Sequence, residues 1–341
     1  MKNNLKYFIV LISLILISVF VYYLMNQNDD ISETQFAVSN INEVYKIEMS
    51  TKFGNKITLD KRNSQWVINN NYPAEKYKID NFFNILNILE VVSNINSQGR
   101  NRVIQILTTN SIRVSIYDKN NKEIKTFYAG GDASSKGAFM ILEKDGKIAE
   151  NPYIVSIPGF RGQLMYNFPM DSIYWRSTKV FDKSYELLSS ITVAYEKETK
   201  NSFTINIDED EIVVKPMVDS IELKTPIDRE KVIMFLTEIG SKHFEYYDNE
   251  DTIKPSILAG KPRCTITTKS LNGEIKFIKM YDMPIHERSY KIKDEKGDFL
   301  KIDEERFYGV VSGRNDFVVA QYYVFGVLLK NYAYFFKKEK T

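Results

Sequence analysis

Three short runs of alternating hydrophobic and polar residues, separated by polar turns, occur twice along the chain. The first set lies within residues 44–92 and the second within residues 191–243. A period of two predicts β-strands, and the short polar turns between the runs favour antiparallel hairpins. Each set therefore predicts a three-stranded antiparallel meander.

In both sets the hydrophobic period then lengthens to about 3.6 residues, which predicts an α-helix. The apolar face of the first helix covers residues 82–89, and that of the second covers residues 232–239. Asp80 and Asp228 lie near the two helix starts, where a carboxylate can accept hydrogen bonds from unpaired N–H groups.

The two halves also correspond further along the chain. Residues 111–130 resemble residues 264–283, because each segment is a strand, an Asn-containing turn and a second strand that opens with Glu-Ile-Lys. Residues 137–148 resemble residues 289–302, and the match predicts a hairpin in each copy. These matches favour an internal duplication, and two unrelated β-rich lobes are the alternative.

The strongest hydrophobic run is at the N-terminus, where the segment from Tyr7 to Met25 contains no charged residue. As a helix it spans roughly 28 Å, close to the thickness of a bilayer's hydrocarbon core. Lys2 and Lys6 precede the run and acidic residues follow it, so the positive-inside rule places the N-terminus in the cytoplasm. Residues 1–25 thus predict a transmembrane signal anchor, with a cleaved signal peptide or a buried helix as alternatives.

Residues 316–336 are apolar nearly all round a helix, which predicts a C-terminal helix buried against the second lobe. An interface with a partner is one alternative. A second membrane span is another, and it would have to carry Gln321, Lys330 and Asn331.

Together these patterns predict an α+β fold. We expect an N-terminal transmembrane helix followed by two tandem, mutually similar lobes of mostly antiparallel sheet, each with one main helix. The first lobe is expected at residues 41–170, after a linker at 26–40. The second lobe, with the C-terminal apolar helix, is expected at residues 171–341.

Composition narrows the classes of function. The chain has 341 residues, with 46 Lys and Arg against 44 Asp and Glu, and a net charge of +2. These charges are interspersed, so no nucleic acid is expected as a partner. One cysteine excludes an intrachain disulfide, and with two histidines it leaves little for a transition-metal site. We predict neither a metal nor a cofactor.

Several segments that resemble chemical motifs have simpler interpretations. Residues 130–137 look like a phosphate loop, but Lys precedes Gly and a strand follows, which favours a connecting β-loop. His243 and His286 have no Ser, Cys or carboxylate partner at a recognisable spacing. The acidic clusters at 208–211 and 248–251 lack the spacing of a calcium loop, which favours solvated turns.

The best candidate for a binding surface follows the tight loop at residues 158–162. Arg161, Tyr174, Trp175 and Arg176 supply the arginine and aromatic side chains that dominate binding hot spots. The alternative is that these residues pack the two lobes together.

Five segments carry a resemblance to one known family. They are TQFAVSNINEVYKI, the strand end at residues 66–69, YAGGDASSKGAFMIL, VSIPGFRGQL and YWRSTKVF. With them, most of the chain after the anchor resembles the membrane-anchored envelope proteins catalogued as domain of unknown function 4340, in their Bacteroidota form. The resemblance implies an accessory role in transport or gliding, and it carries over no catalytic residue.

These observations predict a single-pass protein of the bacterial inner (cytoplasmic) membrane, with its N-terminus inside and most of the chain periplasmic. The predicted function is non-enzymatic binding or scaffolding, or an accessory role in a transporter or gliding machinery. Its expected partners are the lipid bilayer, through Tyr7 to Met25, and an envelope protein. No nucleophile–base or metal constellation points to an enzyme; a solute-binding module and an envelope-glycan hydrolase are the alternatives.

Overall fold

The computed structural model divides the chain into two compact units, Met1–Ser177 and Thr178–Thr341. The residues that the structure describes are 11–19, 35–133, 137–208, 211–218, 225–313 and 315–337. The sequence places the boundary after residue 170. Residues 171–177 belong to the first unit instead, because the Trp175 indole packs in its core, with its ring centre 5.1 Å from that of Phe82.

Among the described residues, no helix combines the length and the apolar character needed to cross a bilayer. Within residues 7–25 the described helical stretch is 11–19, which spans about 14 Å of a hydrocarbon core of about 30 Å. The other residues of this run lie outside the described part of the chain. The finding contradicts the predicted N-terminal transmembrane helix and signal anchor, and with them the single-pass inner-membrane location.

The expected linker at residues 26–40 also needs correction at its C-terminal end. Phe36 and Val38 are buried in the first unit. The Val38 N–H donates a hydrogen bond of 2.9 Å to the carbonyl of Leu86. The chain from about residue 35 is therefore part of the first unit's core.

The first unit is built on a ten-stranded antiparallel sheet in the order β4-β3-β2-β1-β6-β7-β8-β10-β5, with β9 paired to β8. The strands are β1 (Lys46–Thr51), β2 (Lys56–Arg62), β3 (Gln65–Ile68), β4 (Tyr72–Pro73), β5 (Glu90–Asn94), β6 (Ile112–Tyr117), β7 (Glu123–Asp132), β8 (Ala138–Lys144), β9 (Lys147–Ile148) and β10 (Tyr153–Ser156). The β8–β9 hairpin turns at Asp145 and Gly146, both with positive φ, as the sequence predicts.

Two long helices, α1 (Lys76–Asn87) and α2 (Ser97–Thr109), cover opposite faces of this sheet. On β8, Met140 belongs to the core on which α1 packs, whereas its neighbour Ile141 packs with Leu107 of α2. Adjacent strand residues point to opposite faces, so the two helices lie on different sides. A short helix, α3 (Ser172–Trp175), ends the unit.

The presence of α2 corrects the expectation of one main helix in the first lobe. Its buried residues are Val103 and Leu107, and most of the others are polar. The apolar stripe is therefore narrow, and the sequence pattern for this helix is faint.

The second unit contains an eight-stranded antiparallel sheet, in the order β14-β13-β12-β17-β18-β19-β20-β16, and a small β11–β15 sheet. Its helices are α4 (Arg229–Thr237), α5 (Lys254–Ala259) and α6 (Tyr322–Phe325). Its strands are β11 (Lys179–Phe181), β12 (Leu188–Tyr195), β13 (Phe203–Ile207), β14 (Ile212–Pro216), β15 (Lys242–His243), β16 (Tyr246–Tyr247), β17 (Cys264–Ser270), β18 (Ile275–Pro284), β19 (Ile302–Val311) and β20 (Asp316–Gln321).

The mostly antiparallel sheet of the predicted fold class is confirmed, and the two large sheets follow the same path. The order β3-β2-β1-β6-β7-β8-β10-β5 in the first unit matches β14-β13-β12-β17-β18-β19-β20-β16 in the second. In both units a long helix follows the three-stranded meander, and another helix precedes the next long strand. This shared order is what a tandem duplication predicts.

The two units differ most clearly in the length of one connection between matching strands. Residues 133–137 join β7 to β8, whereas residues 285–301 join β18 to β19. The predicted match of residues 137–148 with 289–302 is therefore wrong, because β8 corresponds to β19. We call residues 285–301 the insertion loop.

The predicted C-terminal helix at residues 316–336 is also wrong. Its first part is strand β20, which lies between β19 and β16, and the rest forms α6 and two short 3-10 turns. Residues 317–320 are all buried. A strand buried on both faces gives a continuous apolar run, which periodicity does not distinguish from a buried helix.

Candidate ligand-binding cavity

Of the four predicted binding residues, two are exposed and two are buried. Arg161 and Tyr174 are exposed. Trp175, at the end of α3, is only 1% exposed, and its indole Nε1 donates a 3.0 Å hydrogen bond to the carbonyl of Pro169. Trp175 is therefore a core residue of the first unit and is not available as a surface anchor.

Arg176 is also buried in the first unit. Its guanidinium carbon lies 3.6 Å from the centre of the Tyr72 ring, a close cation–π contact. Tyr174 receives a similar contact from Lys78, whose Nζ lies 4.8 Å from the ring centre. Packing within the first unit explains these positions better than one shared binding surface does.

A cavity of about 340 Å³ lies beside α2, on the sheet face opposite α1. We call it the α2 cavity. Its apolar wall consists of Ile104 and Leu107 of α2, Ile141 of β8 and Ile148 of β9. Ligand sites typically measure about 300–1,000 Å³ and are mostly apolar, so this cavity suits a small ligand.

Local sequence explains the apolar wall. Ile104, Leu107 and Thr108 are three and four residues apart on α2, so they share one face of the helix. Ile141 faces α2 because Leu142, its neighbour on β8, packs against the core under α1. The cavity thus lies at the border of the small cluster that holds α2 on the sheet.

The polar side of the cavity includes Lys52, Arg113 and Tyr128. Arg113 donates two hydrogen bonds to the nearly buried carboxylate of Glu143, from Nε at 2.9 Å and from Nη2 at 2.6 Å. This hydrogen-bonded pair raises the pKa of Arg113 and lowers the pKa of Glu143. Burial, and then the hydrogen bond to Glu143, raise the pKa of the Tyr128 hydroxyl.

The electrostatic character of the lining is cationic. Lys52 and Arg113 both border the cavity, and the described lining includes no acidic residue. Glu143 is not among the lining residues, and its carboxylate is paired with Arg113. The arrangement can therefore accept an anionic or hydrogen-bond-accepting head group beside an apolar wall.

The described lining of the α2 cavity offers hydroxyl groups but no histidine, cysteine or carboxylate to activate one. Nor does the described part of the chain contain three or more His, Cys, Asp or Glu residues placed to hold a metal ion. The groups that the described lining does offer, namely aliphatic side chains, hydroxyls, Lys52 and Arg113, are suited to holding a ligand.

The second unit contains a charged cluster whose members the sequence pattern assigns to separate surface turns. The Asp251 backbone N–H donates a 3.1 Å hydrogen bond to the carbonyl of Asp248, and each side chain lies close enough to shift the pKa of the other. The Nη2 atom of Arg288, from the insertion loop, lies 3.6 Å from Asp248 Oδ2 and 4.0 Å from Asp251 Oδ2. His286 lies close enough to affect Asp248 electrostatically.

The pKa values of the two aspartates are shifted in opposite directions. Burial, and then the charge of Asp251, raise the pKa of Asp248. The N–H of Ile253 and the hydroxyl of Tyr308 help to lower the pKa of Asp251.

Sequence reasoning missed the α2 cavity because its lining comes from β1, α2, β6, β7, β8 and β9. Arg113 and Tyr128 occupy outward positions of alternating strands, where polar residues ordinarily face solvent. Their cross-strand pairing on β6 and β7 is the signal that a correct strand register reveals.

Comparisons with protein-family models, with curated proteins and with solved structures each gave no match for this chain. The resemblance to domain of unknown function 4340 therefore stays a prediction.

Proposed function

We propose that this chain is a ligand-binding protein whose first unit holds a small amphipathic molecule with an anionic head group. The observation that carries the proposal is the α2 cavity, where four aliphatic side chains face Lys52 and Arg113. The apolar wall gains about 25 cal/mol for each Å² of apolar surface that a ligand removes from water. The cationic side selects the charge of the head group.

The two parts of the site have different roles. Arg113 is held by Glu143 before any ligand arrives, so little side-chain freedom remains to be lost on binding. Lys52 is exposed at the lining and adds a second positive charge. An amphiphile with a cationic head would meet like charges there.

Calorimetric titration with sodium decanoate and with decylammonium chloride tests the class of ligand. We expect decanoate to bind at least tenfold more tightly than decylammonium, and added salt to reduce this preference. Equal affinity for the two probes, or no heat from decanoate at millimolar concentration, overturns the proposal.

Two neighbouring threonines of α2 provide a matched pair of variants. Thr108 lines the cavity, Thr109 does not, and each hydroxyl donates a 2.7 Å hydrogen bond to the carbonyl four residues earlier. Thr108→Trp should fill the cavity and abolish decanoate binding, whereas Thr109→Trp should retain it. Equal binding by both variants would place decanoate elsewhere.

A neutral replacement of the ion pair tests the head-group preference. The double variant Arg113→Met with Glu143→Gln removes both charges without leaving the nearly buried carboxylate unpaired. We expect the variant to keep the part of its affinity that comes from the apolar wall. It should lose most of its preference for decanoate over decylammonium. An unchanged preference would contradict the role assigned to Arg113.

A further inference from the structure

The second unit carries a groove bordered by three tyrosines, Tyr290, Tyr322 and Tyr323, which we call the tyrosine groove. It consists of two adjoining hollows of about 300 and 520 Å³. Tyr322 and Glu304 line both hollows, which therefore share part of their wall. A ligand that occupied both hollows would contact all three tyrosines.

Tyr290 is held in position although it is exposed. It lies in the insertion loop and is 73% exposed, whereas Arg306 of β19 is 4% exposed. Arg306 Nη2 donates a 2.8 Å hydrogen bond to the Tyr290 hydroxyl, and its guanidinium lies 4.2 Å from the ring centre. The ring is therefore oriented before a ligand binds, which lowers the entropic cost of binding.

Tyr322 and Tyr323 give the groove its second aromatic border. The Tyr322 ring lies 5.0 Å from the ring of Phe307, and its hydroxyl accepts a 3.3 Å hydrogen bond from Arg263. Tyr323, the next residue, is 91% exposed. Exposed aromatic side chains gathered at one hollow are typical of binding sites.

The charged residues of the groove are balanced in sign. Its exposed charged residues are two acidic and two basic: Glu304, Glu305, Arg263 and Lys301. Asp303 and Arg306 also border the groove, but both are buried. A strongly charged ligand would meet repulsion along part of this lining. Neutral hydroxyl groups can donate to the carboxylates and accept from the cations, so a polyhydroxylated ligand fits both.

We propose that the tyrosine groove binds a neutral oligosaccharide. The C–H face of a sugar ring is apolar and stacks on an aromatic ring, whose face carries partial negative charge. The hydroxyl rim of the sugar then reaches the mixed donors and acceptors of the groove. This site is separate from the α2 cavity and takes a different class of ligand.

Titration with cellohexaose and with chitohexaose tests the proposal on the full chain. We expect at least one of these neutral probes to bind, with an affinity that changes less than twofold between 50 and 500 mM salt, because no net charge is involved. Failure of both probes, or binding only to an acidic oligosaccharide with steep salt dependence, overturns it.

Exposed tyrosines of the two units provide the control. Tyr323→Ala should weaken oligosaccharide binding about three- to tenfold through the loss of one stacking surface. Tyr166→Ala removes a ring that is 76% exposed in the first unit and should leave binding unchanged. Equal oligosaccharide affinities of the two variants would exclude the tyrosine groove as the binding site.

The cavity variant separates this proposal from the function proposed for the first unit. Thr108→Trp should abolish decanoate binding and leave oligosaccharide binding intact. Loss of oligosaccharide binding in Thr108→Trp would count against a separate groove.

Discussion

Arg306 and Glu245 form a two-pronged ion pair, with Arg306 Nε 2.8 Å and Nη2 2.6 Å from the two carboxylate oxygens. The Nη1 atom of the same guanidinium donates to the carbonyl of Arg288 at 2.7 Å. A buried side chain of β19 thus ties the insertion loop to the segment before β16. This arginine is therefore one anchor of the loop, beside the contacts of Arg288 with Asp248 and of Lys291 with Glu304.

Arg306→Met should therefore destabilise the second unit by about 2 kcal/mol or more, because Glu245 is left partly buried without its partner. Urea unfolding measures the change. Adding Glu245→Gln should restore part of the lost stability, since the unpaired charge is removed. A double variant as unstable as the sum of the two single variants would contradict a direct pairing.

Asp248→Asn should stabilise the protein at pH 7. The pKa of Asp248 is raised in the folded state, so its contribution to stability is present below its unfolded pKa and is lost as pH rises through the folded value. The melting temperature of the variant should exceed that of the wild type at pH 7, and the difference should shrink near pH 3.5. A constant difference across this range would exclude ionisation as the cause.

Asp251→Ala should have the opposite effect at neutral pH. The Asp251 carboxylate accepts hydrogen bonds from the Ile253 N–H at 2.9 Å and from the Tyr308 hydroxyl at 3.2 Å. Their loss should cost about 1 kcal/mol. Because its pKa is lowered in the folded state, the contribution is present above the unfolded pKa and disappears as pH falls through the folded value. Thermal unfolding between pH 7 and pH 2.5 checks this direction.

Trp175→Ala should cost about 3–5 kcal/mol, because a large buried ring leaves a cavity beside Phe82. Tyr174→Ala, at the adjacent exposed position, should cost less than about 1 kcal/mol. Chemical denaturation of the two variants compares them directly. Similar small losses would favour a surface role for both residues.

Gly137→Ala should destabilise the first unit more than Gly146→Ala does. Both glycines have positive φ, but a Cβ at Gly137 would collide with the carbonyl oxygen of Val155, whereas the space at Gly146 is open. The strain of positive φ costs about 1–2 kcal/mol in each variant, and the collision adds to it only at Gly137. Equal losses in urea unfolding would show that the close approach is relieved at little cost.

The elements that were predicted well have regular periodicity and one buried face. Strands β1 to β3 and helix α1 follow this rule, and so do β12 to β14 and α4. Helix α2 was missed because its buried stripe is narrow. Strand β20 is predicted as a helix because both of its faces are buried. Residues 7–25 predict a membrane span from their hydropathy, length and flanking charges.

The candidate sites were harder to predict than the elements. The α2 cavity depends on the pairing of Arg113 with Tyr128 across β6 and β7 and on the docking of α2. Neither is visible before the strand register is known. The tyrosine groove depends on the insertion loop, whose length the proposed alignment of the two copies concealed. Trp175 and Arg176 were chosen by residue type, which does not reveal burial.

Strand β16 is only two residues long, and its shortness has a consequence for self-association. Strand β16 makes two residue pairs with β20. Just after it, the Asn249 side chain accepts a hydrogen bond from the Phe317 N–H at 2.8 Å and donates one to Asp316 at 2.9 Å. The first of these bonds occupies a backbone N–H of β20 that another chain would need in order to add a strand there. A short edge closed by a side chain protects a β-rich protein from edge-to-edge aggregation. The second unit can thus keep a sheet of eight strands without offering this side as a template for polymerisation.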